Sequence, residues 1–259
     1  MKLIEPKVLL IGETRAVRDG VDAFLAELGA QDWISGSDSD SEALVELAGR
    51  VCYRSFKPGL NPNVTRIRTD SGDYFENIIR SGDGSVLEHG FLNFAFLNIS
   101  RICAMELIRH RVGVSISQES LRYVRVTDLP IWIPPGLSDR QRELWLDGVK
   151  TAEEHYLGLC ETVEWDILTM PQKKVLTSAF RRMLPDGMAT HVIWGANHRT
   201  IRHVIEQRTA ETAEVEIRDL FDRVAKIVTT RYPLIYQDFS STTLADGTTT
   251  WKPALRSKV

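Results

Sequence analysis

The segment that most constrains the fold runs from Gly90 to Arg111, GFLNFAFLNISRICAMELIRHR. Gly90 to Asn98 alternates, with Leu92, Phe94 and Phe96 on one side, which is the period of a strand with two unlike faces. Ser100 to Arg109 then puts Cys103 and Leu107 on one face of a helix. Other patterns surround this pair. Val8 to Gly12 reads as a short buried strand, and Ala16 to Leu28 as a helix through Val21, Phe24, Leu25 and Leu28. A polar loop, Ser35 to Ser41, precedes a helix from Glu42 to Val51, and Phe56 to Thr69, with Pro58, Gly59 and Pro62, reads as a loop or arm. Tyr74 to Arg80 predicts a short helix ended by Gly82, and Asp128 to Pro134 an extended segment. Asp139 to Leu168 predicts a long helix, broken or reset near Pro171; a second helix runs from Met188 to about Arg208, and a third from Thr212 to Thr229. Arg231 to Asp246 and the threonine-rich tail read as irregular. With no repeat and no clean linker, the expectation is one α+β domain over residues 1–259.

The chain has 259 residues and is 43% hydrophobic, enough for one substantial core or two modest ones. A net charge of -3 gives no general basic field, so no nucleic-acid partner is expected. Cys52, Cys103 and Cys160 are odd in number and far apart, which argues against a disulfide framework and for a reducing, cytoplasmic location. The start, MKLIEPKVLLIGE, is a poor signal peptide, and no apolar run approaches membrane-spanning length.

The chemistry concentrates in Arg109 to Tyr123, RHRVGVSISQESLRY. Arg109, His110 and Arg111 end an apolar segment, where positive charge also suits a helix terminus. Arg122, Arg181, Arg182, Arg199 and Arg208 lie beside apolar segments as well, and guanidinium groups so placed need partners. A phosphate matches their fork geometry, while Glu88, Glu106, Glu206 and Glu216 are the internal alternative. On the expected helix, Arg199 and His203 share one face and Asn197 and Arg208 another, which suits a helix between two sites or two subunits, or a solvated one. Gly82 to His89 (GDGSVLEH) is either an ordinary turn or one whose amides and Ser85 hydroxyl hold a phosphate; without the lysine it is no P-loop. The six histidines form no HExxH or compact Cys/His pattern, so no metal site is expected. Nor is there a G-x-S-x-G elbow or a G-x-G-x-x-G after the first strand.

In this order the clusters resemble the flavin-dependent thymidylate synthases. That family's hallmark, RHR followed by serine and a second arginine, appears as Arg109–Arg111 and then Ser115–Tyr123. Its upstream G-H-x-S/T-x-x-E-H stretch is similar to Gly82–His89, and its downstream pattern to Arg181–Pro185, Asn197, Arg199, His203, Arg208 and Glu216-Ile217. The resemblance covers about Arg50 to Phe239. It implies the family's own fold, here a mixed sheet with long helices, and a homotetramer holding FAD across subunit boundaries. It also implies C5-methylation of dUMP with NADPH as reductant and methylenetetrahydrofolate as carbon source. By the same resemblance Arg109, His110 and Arg111 would meet FAD, helped by Ser85, Asn197, Arg199 and His203. Gln118, Ser120, Arg122, Arg181 and Arg208 would hold the nucleotide, with Arg122 and Arg208 polarising the uracil, Ser120 bonding over it, and Arg181 on the phosphate.

Three positions depart from the family: Asp83 replaces a histidine, Glu106 replaces a glutamine, and the spacer after Arg111 is one residue longer, with Gly113 expected to absorb it as a turn or bulge. Glu106 can accept from a ribose hydroxyl, which extends the expected substrate from dUMP to UMP, as in relatives of nucleoside-antibiotic pathways. A strict dUMP enzyme and a non-catalytic flavin- or nucleotide-binding relative are the competing expectations.

Overall fold

A computed structural model describes residues 1–255; the last four residues of the expected 1–259 domain lie outside them. In chain order the elements are β1 (Lys2–Leu3), β2 (Lys7–Glu13), α1 (Arg18–Glu27), α2 (Asp40–Tyr53), α3 (Ser71–Ser81), β3 (Phe91–Ser100), α4 (Arg101–Leu107), β4 (Val114–Gln118), β5 (Pro130–Ile131), α5 (Asp139–Glu161), α6 (Met170–Phe180), β6 (Ala189–Asn197), α7 (His198–Arg208), α8 (Val215–Arg231), β7 (Phe239–Thr243) and β8 (Thr249–Pro253). Four strands pair in the order β2-β3-β6-β4; β1 and β5 form a parallel pair, and β7 and β8 an antiparallel one. The fold is α+β, as expected.

The strand and helix read from 90–111 are both present. Leu92, Phe94 and Phe96 are fully buried on β3, and Cys103 and Leu107 on α4. Ser100 ends the strand and caps the helix, its hydroxyl accepting from the Cys103 amide at 3.0 Å. Gly82 closes α3 in the left-handed region, φ 77°, where a Cβ would be strained.

Four expectations are corrected. The strand read at Val8–Gly12 is present within β2 but is not buried, with Leu9 and Ile11 about half exposed. The long helix stops at Glu161; a 3-10 turn at Trp165–Ile167 follows, and Pro171 starts α6 rather than breaking a helix. Proline lacks an amide that the first turn would leave unpaired anyway, and a Thr169/Gln172 capping box fixes that start. The helix expected from Met188 begins only at His198: Ala189–Asn197 is a strand, and Asn197 is the N-cap rather than a helical residue. Arg231–Asp246 and the threonine-rich tail are not irregular throughout: Phe239–Thr243 in the first pairs as β7 with β8 in the second, turning through Gly247 at φ 82°.

The chain divides into two compact units. The first comprises Met1–Leu9, Ala95–His110 and Ile116–Ile193. Its core joins Leu129, Ile131, Val149, Tyr156, Leu184 and Met188. Buried Glu153 accepts from the Leu129 amide at 2.7 Å and from the N-terminal ammonium at 2.8 Å. The second unit takes Leu10–Phe94, Arg111–Ser115 and the described chain from Trp194 onward. Here α7 packs on α8 through Ile201, Val204, Ile205, Phe221 and Val224, all fully buried. Each such side chain contributes roughly 1.5–3 kcal/mol of hydrophobic stabilisation. Trp194 meets Phe221 edge to face at 5.6 Å. Among the described residues no helix is long and apolar enough to cross a membrane.

Candidate functional site

In the second unit the start of α7 organises three polar segments. Asn197 caps the helix, its side-chain oxygen accepting from the Thr200 amide at 2.9 Å. The Asn197 amide donates to the Gly113 carbonyl at 3.3 Å and the Thr200 hydroxyl to the Val112 carbonyl at 2.9 Å. The loop carrying Arg111 is thereby tied to the helix N-terminus. Gly113 sits at φ 68°, and a Cβ there would come within 2.6 Å of both Asn197 Nδ2 and Thr200 Oγ1. Gly113 takes the turn expected of it.

His198, fully buried, fastens the same helix start to the Gly82–His89 segment. Its amide donates to the Gly90 carbonyl at 3.0 Å, and its ring shares hydrogen bonds with Ser41 Oγ at 2.8 Å and the Tyr236 hydroxyl at 3.0 Å. Burial, with the Arg202 cation as a second cause, pushes His198 down to about 3, so the ring is neutral. Before Gly90, a 3-10 turn at Gly84–His89 buries Val86 and Leu87 and exposes Ser85, Glu88 and His89. Arg199 Nη1 donates to Glu88 Oε1 at 2.5 Å, so one of the internal carboxylates considered does act as a partner. The Arg199 Nε is buried and unbonded among the described residues.

Ser85 and Asp83 open onto a cavity of about 290 Å³ in this unit, whose wall includes Tyr53, Tyr74, Arg66 and Arg68. Arg50 forms part of it but is committed elsewhere. It pairs with Glu46 at 2.7 Å and donates to the Ser55 and Arg68 carbonyls at 2.9 Å each. Its guanidinium also lies 4.2 Å from the Tyr74 ring centre. Flat rings and cations around a hollow suit a conjugated ring system bearing phosphates.

In the first unit α4 ends at Leu107, and the Arg109 and His110 amides donate back to the Glu106 and Leu107 carbonyls at 3.3 and 3.2 Å. Arg109 is exposed, His110 half-buried and Glu106 half-buried. Gln118 follows at the end of β4, 3.5 Å from Thr190 Oγ1, on a shallow hollow of about 350 Å³ that His191 also lines. His191 Nδ1 accepts from the Asn98 amide at 3.2 Å. Ser120 starts a tight turn: its carbonyl accepts from the Tyr123 and Val124 amides at 3.0 and 3.1 Å, and its hydroxyl from the Arg122 amide at 3.4 Å. The Thr177 hydroxyl of α6 donates to the Arg122 carbonyl at 2.8 Å, and Lys174 Nζ lies 4.7 Å from the Tyr123 ring centre. Arg181 follows α6, half-buried. One helix therefore holds Arg122 and presents Arg181 four residues beyond Thr177.

The structure brings Arg111, Asn197 and Arg199 to the α7 start, with Ser85 in the segment that His198 and Arg199 hold. Arg122 and Arg181 are related through α6. His203 and Arg208, both half-buried, lie further along α7; Arg199 and His203 are one turn apart on that helix, as expected, while Asn197 drops out of it as the N-cap. Sequence reasoning missed Tyr53, Arg66, Arg68 and Tyr74 at the cavity and His191 in the first unit. Only the paired prolines around a glycine marked the segment that carries the two arginines.

Residues 34–234 match the model of a family described as thymidylate synthase complementing protein. The chain is 38% identical over 222 residues to a flavin-dependent thymidylate synthase of Mycobacterium marinum, covering 83% of this chain and 86% of that one. It is 38% identical over 223 residues to the enzyme of that name from Mycobacterium tuberculosis, with the same coverage. Crystal structures of a UMP/dUMP methylase, PolB from Streptomyces cacaoi, superpose with a TM-score of 0.65. The one bound with 5-Br dUMP is 16% identical and covers 92% of this chain and 96% of that one. The one bound with 5-Br UMP is 17% identical, covering 91% and 94%. At that identity the likeness is one of fold.

Proposed function

This chain belongs to the family of flavin-dependent thymidylate synthases, and we propose that it methylates C5 of uridine monophosphates, dUMP and also UMP. The observation that carries this reading is a set of guanidinium groups without internal counter-ions. Arg50, Arg199, Arg202 and Arg218 are each paired with a carboxylate. Arg109, Arg111, Arg122 and Arg181 have no such pairing among the described residues. Groups of this kind, in the motif order of a nucleotide-methylating family, suit phosphates and a carbonyl-bearing ring.

FAD fits the second unit on its chemistry: a buried, unbonded Arg199 Nε, exposed Ser85, and a cavity walled by tyrosines and arginines. In this reading Ser85, Arg111, Asn197, Arg199 and His203, with Arg109 and His110, hold it. When bound, the flavin supplies reducing equivalents, with NADPH as their source and methylenetetrahydrofolate as the carbon donor. The chain's own residues orient the nucleotide. Arg181 takes the phosphate; Arg122 and Arg208 donate to the uracil carbonyls as they gain charge, making C5 nucleophilic. Gln118 and Ser120 fix the ring, and Glu106 accepts from the ribose. PolB, which shares this fold, carries both 5-Br dUMP and 5-Br UMP in its crystals. A cytoplasmic homotetramer belongs to the same reading; the self-association is supported by Ile102 and Met105 on α4 and Ile108 just after it, each about half exposed.

The test is incubation with FAD, NADPH and methylenetetrahydrofolate, followed by comparison of methylated products from dUMP and UMP. Methylation of both is expected. Product from dUMP alone makes the enzyme strict, and a protein that stays colourless with FAD and converts neither makes it a non-catalytic relative.

A further inference from the structure

A second hollow of about 210 Å³ in the same unit adjoins the cavity at Ser85, and the two share Arg50 and Arg68 in their walls. Its lining combines Trp33 and Phe56, which meet edge to face at 5.4 Å, with the half-buried cations Lys57 and Arg68. Neither cation has a hydrogen-bonding or ionic partner among the described residues. Asp32, the carboxylate in the wall, is exposed.

These side chains stand on a fixed frame. Buried Arg50 holds the Ser55 and Arg68 carbonyls at 2.9 Å, and Asn61 Nδ2 holds the Tyr53 carbonyl at 2.7 Å. Arg50 spends its own charge on Glu46, so the free positive charge of the hollow is that of Lys57 and Arg68. A solvated loop needs no such anchoring of its backbone, and a wholly apolar ligand would leave both cations unmatched. An aromatic wall beside two cations suits a base joined to a phosphate.

We propose that this annex binds the phosphorylated nucleoside end of a dinucleotide whose other end reaches the neighbouring cavity. The proposal rests on the flavin-enzyme reading for that neighbour. The nucleoside phosphate has two possible sources, the adenosine half of FAD or that of the nicotinamide dinucleotide that reduces it.

The experiment is calorimetric titration of FAD-free and FAD-loaded protein with 5′-AMP and 2′,5′-ADP, alongside FAD and FMN affinities. It compares wild type with Lys57→Gln, Arg68→Gln and charge-retaining Lys57→Arg. Wild type is expected to bind an adenosine phosphate, each Gln variant about tenfold more weakly, and Lys57→Arg close to wild type. Loss seen on FAD-loaded protein assigns the annex to the reductant; a fall in FAD but not FMN affinity assigns it to the flavin. The proposal is overturned if wild type binds neither adenosine phosphate, or if both Gln variants match it for every ligand. Melting curves confirm that the variants fold. A wild type that takes up no flavin at all sinks the enzyme reading instead, which separates the two failures.

Discussion

Gly90 and His198 approach so closely that a Cβ on the glycine would run into the imidazole and the Ser41 hydroxyl. This contact makes His198 a stability device with a defined pH signature. Its folded value lies far below that of a free histidine, so between about pH 6.5 and 3 the unfolded chain binds the extra proton. Stability is present above pH 6.5 and lost as the pH falls, by about 2 kcal/mol at pH 5. Buried Glu42 is raised, chiefly by desolvation, and works in the opposite direction. The variant comparison therefore isolates the histidine: in urea unfolding at pH 7 and pH 5, His198→Asn should lose less on acidification than wild type. An equal loss would mean the ring charges without cost. Gly113→Ala is a second residue-scale case. A left-handed φ and contacts at 2.6 Å predict a loss of about 2 kcal/mol, with weaker FAD binding by titration.

At the scale of elements, helix starts and ends carry the site. Asn197→Ala removes a cap and should cost about 1 kcal/mol in unfolding experiments, with FAD affinity falling as the Gly113 loop loosens. Thr177→Val removes the hydroxyl that holds the Arg122 carbonyl. It should raise KM for dUMP about fivefold while FAD binding stays unchanged; a shift in flavin affinity instead would place Arg122 at the wrong ligand. These elements were unequally legible in the sequence. β3 and α4 carry clean periods because each has one buried face, Leu92/Phe94/Phe96 and Cys103/Leu107. β6 alternates only briefly, at His191 and Ile193: residues 194–198, across its end and the start of α7, are buried without a break, and an apolar run running into helical spacing reads as one longer helix. The β7–β8 hairpin is polar, and its signal was Asp246-Gly247 between β-branched runs. The cavity was hidden for a different reason. Tyr53, Arg68 and Tyr74 reach it from α2, a loop and α3, and no local spacing encodes that meeting.

For the whole molecule, charge is organised by pairing rather than by net sign. The chain is acidic by 3 charges overall, yet Arg109, Arg111, Arg122 and Arg181, all in the motifs, have no carboxylate partner among the described residues. At physiological ionic strength it should bind dUMP while leaving a mixed-sequence DNA duplex in the free fraction of a gel-shift experiment. Retention of the duplex would mean that the arginines form a general polyanion surface. The RHR and Gly82–His89 motifs were legible because they keep a fixed residue order within the stretch that matches the family model. Which arginines had carboxylate partners was not, since Glu88 lies 111 positions from Arg199.

The unmatched cations of Arg109, Arg111, Arg122 and Arg181 also bear on how the protein behaves when starved of substrate. No carboxylate pairs with these four among the described residues, so a polyanionic ligand can supply the counter-charge, and such a ligand favours the native state by mass action. Saturation at a hundred times the dissociation constant adds about 2.7 kcal/mol. Persistence of the folded enzyme in a cell would then follow the nucleotide pool it draws upon.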